Sequence, residues 1–154
     1  MKFFNRYAAY APVVVRVAVS FVFLWFGISQ LVNPESFLGY LPGWVHSPPA
    51  AMQHMHALQF LHDISGAPHW AIMGNGAFET LFGALLLAGL FTRISALLLS
   101  IHLALIGASL GYNDILIRDL GLALATFSVF LHGPDKFCRD GKVKLPGLLR
   151  KLVL

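Results

Sequence analysis

Four long apolar runs restrict the fold of this chain more than any other feature. They occupy residues 13–32, 70–91, 94–112 and 115–132, and few or no charged side chains interrupt them. Runs of about 18 or more mostly apolar residues are typical of transmembrane helices, because about 20 helical residues cross the hydrocarbon core. The sequence therefore predicts four spans. The first run ends without a small-residue cleavage site, so we expect an uncleaved anchor helix.

The composition excludes several classes of protein. Only 12% of the 154 residues are charged and 57% are hydrophobic, whereas a soluble domain carries about 25% charged residues to cover its surface. A soluble enzyme, a disordered chain and a nucleic-acid-binding protein are therefore excluded. The one cysteine, Cys138, excludes an internal disulfide and a metal site built from several cysteines.

The placement of the basic residues predicts the orientation. Of the 11 Lys and Arg residues, Arg16 and Arg118 lie within spans. The loops at 33–69 and 113–114 contain none, so the other nine share one side: Lys2, Arg6, Arg93, Lys136, Arg139, Lys142, Lys144, Arg150 and Lys151. Because basic residues favour the cytoplasmic side, we predict a multi-pass inner-membrane protein with both termini cytoplasmic. A basic tail at 133–154 lying on anionic lipid accounts for the pI near 9.5 without nucleic acid.

Small residues at helical spacing predict close packing between the spans. They are Gly76, Thr80, Ala84 and Ala88 in the second span, Ser100, Ala104 and Ala108 in the third, and Gly121 and Ala125 in the fourth. Such faces let helix backbones approach in lipid, and the short connections make spans two to four antiparallel neighbours. We predict an all-α integral membrane protein in which residues 1–154 form one domain, an antiparallel four-helix transmembrane bundle.

Ionisable residues within the spans are the candidate functional residues, because such groups are costly in a membrane. They are Arg16, Glu79, His102, Arg118 and Asp119. At 1.5 Å of rise per residue, Glu79 lies about 14 Å from the outer edge and His102 about 12 Å from the inner edge. Both are near the midplane and could share a hydrogen bond. Arg118 could reach Glu79 or pair with Asp119 or Asp114, and Arg16 could extend to the cytoplasm or point into the bundle.

Three interpretations of these residues stay open. Paired charges could only fix the packing of the helices. They could instead form a polar site for a quinone headgroup or another small ligand, or a proton relay through Glu79 and His102.

The long outer loop at 33–69 holds five of the seven histidines. Residues 50–64 lack Pro and Gly, which favours a short amphipathic helix lying on the membrane surface. His54 and His56 are weak metal candidates, but residues two apart on a helix diverge by about 200° and could not share one ion. We therefore predict no metal site.

In several stretches the chain resembles the DoxX family of small four-span membrane proteins. The first begins at Arg16 and runs to Gly27. In the second, E-T-L-F-G-A-L-L-L-A-G-L-F-T-R at 79–93 is similar to the family pattern E-x-x-x-G…L-L-x-G-L-x-T-R. The third is R-D-L-G-L at 118–122, followed by G-P-D-K at 133–136. Family members often carry H-G-x-x-K at the end of span one, whereas this chain has F-G-I-S-Q at 26–30.

The resemblance implies roles for particular residues and partners. It maps Arg16, Glu79, Arg93, Arg118 and Asp119 onto the family's recurrent polar positions. It also implies an accessory subunit of a membrane redox or oxidative-stress assembly, with protein partners and without autonomous catalysis. A quinone-interacting oxidoreductase component, with quinone as cofactor, and a small-solute or proton pathway are the alternatives. A homo-oligomer is compatible with each.

Overall fold

The computed structural model describes residues 7–41 and 67–140, and every regular element in this part of the chain is a helix. The elements are α1 (Ala11–Val32), a 3-10 helix (Pro34–Tyr40), α2 (Ala67–Ala88), α3 (Thr92–Ser109) and α4 (Asp114–His132). All four α-helices are long and apolar enough to cross a membrane, which confirms the prediction of four spans. The predicted loop helix at 50–64, with His54 and His56, lies outside the described residues, as does the tail after residue 140.

The helix ends follow from local chemistry. The Asn113 side chain caps α4 by accepting a hydrogen bond from Leu116 N–H at 2.9 Å. Gly89, at φ 66°, ends α2, and Leu90 N–H then donates to Leu85 O at 2.9 Å. The second span therefore ends three residues before the predicted boundary at 91. The apolar run continues past the last helical residue, so hydropathy alone does not show where the helix ends.

The helices form an antiparallel bundle in which α1 contacts α2 and α4, and α3 contacts α2 and α4. The start of α1 and the end of α2 meet at Arg16, so we name this the Arg16 end. At the opposite end, named the Arg118 end, α2 and α4 begin and α1 and α3 finish. The Arg16 end is the predicted cytoplasmic end.

The closest approach in the bundle is between α1 and α2. A Cβ atom at Gly27 would lie 2.5 Å from Thr80 Oγ1 and 2.8 Å from Gly76 O. A Cβ atom at Gly76 would lie 2.7 Å from Gly27 O. Both glycines are therefore required by the space between the two backbones, and the predicted packing role of Gly76 and Thr80 is confirmed.

The predicted packing face of α4 is confirmed at Ala125, which packs against the core, and is wrong at Gly121. Gly121 is exposed, and a Cβ atom there would have no heavy atom within 4 Å. The buried residues of α4 are Asp119, Ala123, Thr126 and Val129. Asp119 and Gly121 are two residues apart, about 200° around the helix, so burying the carboxylate places Gly121 on the outside.

The bundle keeps a small apolar core and presents large apolar side chains outward. Val19, Phe23, Leu86 and Leu99 are buried in this core. The side chains with half or more of their surface exposed include Val14, Phe21, Trp25, Leu105 and Leu124. An apolar exterior of this kind matches lipid contact along the spans.

We predict that Gly27→Ala destabilises the bundle, because the added methyl group collides with the backbone of α2. Overpacking of this kind costs about 1–3 kcal/mol. The matched control is Gly121→Ala, where the site is open and alanine favours the helix by up to about 1 kcal/mol. Thermal denaturation in detergent measures both variants. Equal melting temperatures would contradict the role given to Gly27.

Candidate functional site

A cleft opens between the helices at the Arg118 end, with a volume of about 240 Å³. The 3-10 helix and all four spans contribute to it. Its walls are mostly aromatic and aliphatic, with a few polar side chains. The polar members include Gln30, Asn75, Glu79, Arg118 and Asp119. An apolar cleft with a few convergent polar groups is the usual form of a small-molecule site.

Glu79 is the centre of a buried hydrogen-bond network joining α1 and α2. Its side chain accepts from Asn75 Nδ2 at 3.1 Å and from Gln30 Nε2 at 3.4 Å. Asn75 Nδ2 also donates to Gln30 Oε1 at 2.6 Å. Only 4% of Glu79 is exposed. Two amides therefore hold the carboxyl group by hydrogen bonds.

His102 approaches Glu79 from α3 but does not form the expected hydrogen bond. His102 Nε2 lies 3.7 Å from Glu79 Oε1, beyond hydrogen-bond distance. This nitrogen is buried and has no hydrogen-bond partner among the described residues. The imidazole packs on the Phe78 ring, with centroids 4.5 Å apart. His102 therefore lies behind the Glu79 network.

Arg118 pairs with its neighbour Asp119 at the cleft. Arg118 Nε and Nη2 each lie 2.8 Å from Asp119 Oδ1. The Asp119 side chain is 5% exposed, whereas that of Arg118 is 53% exposed and its guanidinium carbon lies 5.6 Å from the centre of the Phe26 ring. Of the expected partners for Arg118, the structure selects Asp119.

Arg16 lies at the opposite end and points into the bundle. Its Nε donates to Asp135 Oδ2 at 2.6 Å, and its Nη1 donates to the carbonyl oxygens of Leu86 and Leu87 at 2.8 Å each. These carbonyls belong to the last turn of α2, where no further turn of helix supplies donors. One guanidinium group thus donates hydrogen bonds to the last carbonyl groups of α2 and binds a carboxylate from the segment after α4.

The segment after α4 folds back on the turn between α2 and α3. Arg93 packs on Gly133, and its Nη1 lies 3.5 Å from Phe130 O. Thr92 N–H donates to Asp140 Oδ2 at 3.1 Å, so a buried carboxylate caps the start of α3. Residues 133–140 are therefore part of the bundle, although the sequence assigned them to a tail lying on lipid.

The Asp135 carboxyl group is adapted to this position. Burial by itself raises its pKa, but hydrogen bonds from Arg16 and Phe137 N–H, with the guanidinium charge, bring the pKa below its ordinary value of 3.8. Asp135 is therefore ionised at neutral pH and balances the charge of Arg16.

The five candidate residues do not form one network. Glu79 and His102 lie near the middle of the bundle, Arg118 and Asp119 flank the cleft, and Arg16 is at the other end. Between Arg16 and the cleft lie the apolar side chains of the core. His54 and His56, the weak metal candidates, lie outside the described residues.

Sequence reasoning missed Gln30, Asn75 and Asp135. Two signals could have found them. Gln30 continues the stripe of Arg16, Phe23 and Gly27 on one face of α1, and Asn75 precedes Glu79 by one helical turn. Asp135 carried no such signal beyond its place in the G-P-D-K stretch, because its partner Arg16 is 119 residues away.

We predict that Asp135→Asn lowers stability by about 3 kcal/mol, because it leaves a buried guanidinium without its counter-charge. The wild-type pair should hold at neutral pH and weaken as the pH falls below about 4, since the folded-state pKa is lower than 3.8. Melting temperatures in detergent at pH 7 and pH 3 measure both effects. Asp114→Asn, which changes an exposed carboxylate, is the control and should cost under about 1 kcal/mol. A variant as stable as wild type at pH 7 would contradict this role.

Comparison with known proteins agrees with this geometry. The DoxX family model matches residues 11–110, which is about two-thirds of the chain and includes α1, α2 and α3. No curated protein and no solved structure matches the chain. Arg16, Glu79 and Arg93, which carry the resemblance, occupy defined places in the bundle. The chain is a membrane protein of the DoxX family.

Proposed function

We propose that this protein is an accessory subunit of a membrane redox assembly that holds a quinone headgroup in the cleft. The observation that carries the proposal is the cleft itself, with an apolar lining and Glu79 held in its wall by Gln30 and Asn75. A quinone has a flat apolar ring with two polar oxygens, and an apolar slot with few polar groups complements that chemistry.

The size of the cleft supports a headgroup rather than a larger ligand. Its volume of about 240 Å³ is below the roughly 300–1,000 Å³ of cavities that enclose drug-sized molecules. Phe23, Phe26 and Phe37 supply aromatic surface against which a single ring can pack. An isoprenoid tail would have to leave the cleft and lie in lipid.

The charge arrangement favours binding over transport. Among the described residues between the cleft and Arg16, Val19, Leu86 and Leu99 form an apolar layer. The buried hydroxyl groups of Ser20, Ser100 and Thr126 each donate to a backbone carbonyl. A proton or solute pathway needs polar groups or water across that layer. The charged groups are also paired, Arg118 with Asp119 and Arg16 with Asp135, which supports holding a ligand more than catalysis.

We predict that the total quinone and quinol extracted from the protein, purified in mild detergent from native membranes, falls at least about tenfold in Glu79→Gln. The variant replaces one of the two carboxyl oxygens that hold the Gln30 and Asn75 amides in the wall of the cleft. An amide N–H left without an acceptor costs about 1–3 kcal/mol, and 1.4 kcal/mol is tenfold in affinity. Asp114→Asn, outside the cleft, should retain the wild-type quinone content. Circular dichroism checks that Glu79→Gln is folded. A wild-type protein without quinone would contradict the proposal.

We predict that the same purification retains a redox protein with visible absorbance from flavin, haem or an iron–sulfur cluster. Asp135→Asn, which loosens the Arg16 end, tests whether the partner binds there, while Gly121→Ala is the control. The complex should persist in the control. A solitary protein without an absorbing cofactor in gentle detergents would contradict the accessory role.

A further inference from the structure

The inner wall of the cleft, formed by Gln30, Asn75 and Glu79, retains more hydrogen-bond acceptors than donors. Asn75 uses both Nδ2 hydrogens, one on Gln30 Oε1 and one on Glu79 Oε1, so its Oδ1 is free to accept. Gln30 uses one Nε2 hydrogen on Glu79 Oε2 and keeps a single N–H. In the inner wall three amide hydrogens are therefore engaged and one N–H of Gln30 remains, whereas several oxygens can still accept.

The orientation of the two amides follows from Glu79. Both carboxyl oxygens of Glu79 accept a hydrogen bond from an amide nitrogen, so the nitrogen of each amide faces the carboxyl group. Reversing Asn75 would place Oδ1 against Glu79 Oε1 and would also lose the 2.6 Å hydrogen bond to Gln30 Oε1. The free acceptor on Asn75 is thus a consequence of the carboxylate.

Asp119 adds a further acceptor at the cleft. Both contacts from Arg118 reach Asp119 Oδ1, and Oδ2 has no hydrogen bond from the described part of the chain. The remaining donors of Arg118 belong to a side chain that is 53% exposed, where water competes for them. The buried part of the cleft is consequently rich in acceptors.

A quinone and its reduced quinol differ in their ability to donate hydrogen bonds, and this acceptor-rich surface can distinguish them by it. The carbonyl oxygens of a quinone only accept, so against Glu79 and Asn75 Oδ1 they would stay unpaired at a cost of about 1–3 kcal/mol. The hydroxyl groups of a quinol donate to the same oxygens. Resting on the proposed function, we propose that the cleft selects the reduced, hydroxyl-bearing quinol over the quinone.

Anaerobic titration calorimetry on the full chain in detergent tests this selectivity. The probes are a short-chain ubiquinol, the matching quinone and the dimethyl ether of the quinol, which keeps the ring but cannot donate. We expect the quinol to bind at least about tenfold more tightly than the other two. Equal or tighter binding of the quinone or the ether would overturn the selectivity and leave the proposed function standing. Binding of none of the three would overturn both.

Two variants locate the selectivity. Glu79→Gln exchanges an acceptor oxygen for a donor, and Gln30→Lys places a cation beside Glu79 and occupies its oxygens, so each should reduce the quinol-to-quinone affinity ratio by about fivefold or more. Asp114→Asn should keep the wild-type ratio. Melting curves establish that each variant is folded, and Gln30→Lys serves if Glu79→Gln is not. An unchanged ratio in a folded variant would overturn the assignment.

Discussion

The close approach of α1 and α2 at Gly27 and Gly76 is the contact on which the candidate site depends. Backbone atoms there leave no room for a Cβ on either helix. Gln30 follows Gly27 by one turn, so the same approach brings its amide to Asn75 and Glu79. A side chain at Gly27 would separate the helices and break this network. The backbone contact between Gly27 and Gly76 therefore brings together polar side chains that would be unfavourable if they faced lipid.

The two arginine–aspartate pairs of this bundle lie at its opposite ends. Arg16 and Asp135 pair at one end, and Arg118 and Asp119 at the other. Each pair limits the cost of placing a charge near hydrocarbon. Arg16 also supplies donors to the last turn of α2, and so joins three parts of the chain. The apolar layer between the ends can then pack without ionised groups.

The spans could be predicted from sequence because the bilayer imposes a length of apolar residues that any helix crossing it must satisfy. Finer features depend on rotation about the helix axis and on distant partners, which hydropathy does not record. Burial of Asp119 turned Gly121 outward, against the small-residue pattern. Asp135 was assigned to lipid because its partner Arg16 is remote in sequence. The ionisable residues of the spans could be predicted as candidates from the sequence, whereas the neutral amides of Gln30 and Asn75 were not predicted.

The residue at position 30 sets the chemistry of the cleft. Family members often have a basic side chain there, and a cation would saturate Glu79 through charge-assisted hydrogen bonds. Gln30 instead donates one hydrogen bond at 3.4 Å, and His102, the closest ion-pair partner in the described chain, lies 3.7 Å away. Glu79 thus keeps free capacity to accept. An accepting carboxyl group favours ligands with hydroxyl groups over ligands with carbonyl groups, so the quinol selectivity that we propose for the cleft depends on Gln30 leaving Glu79 without a cation beside it.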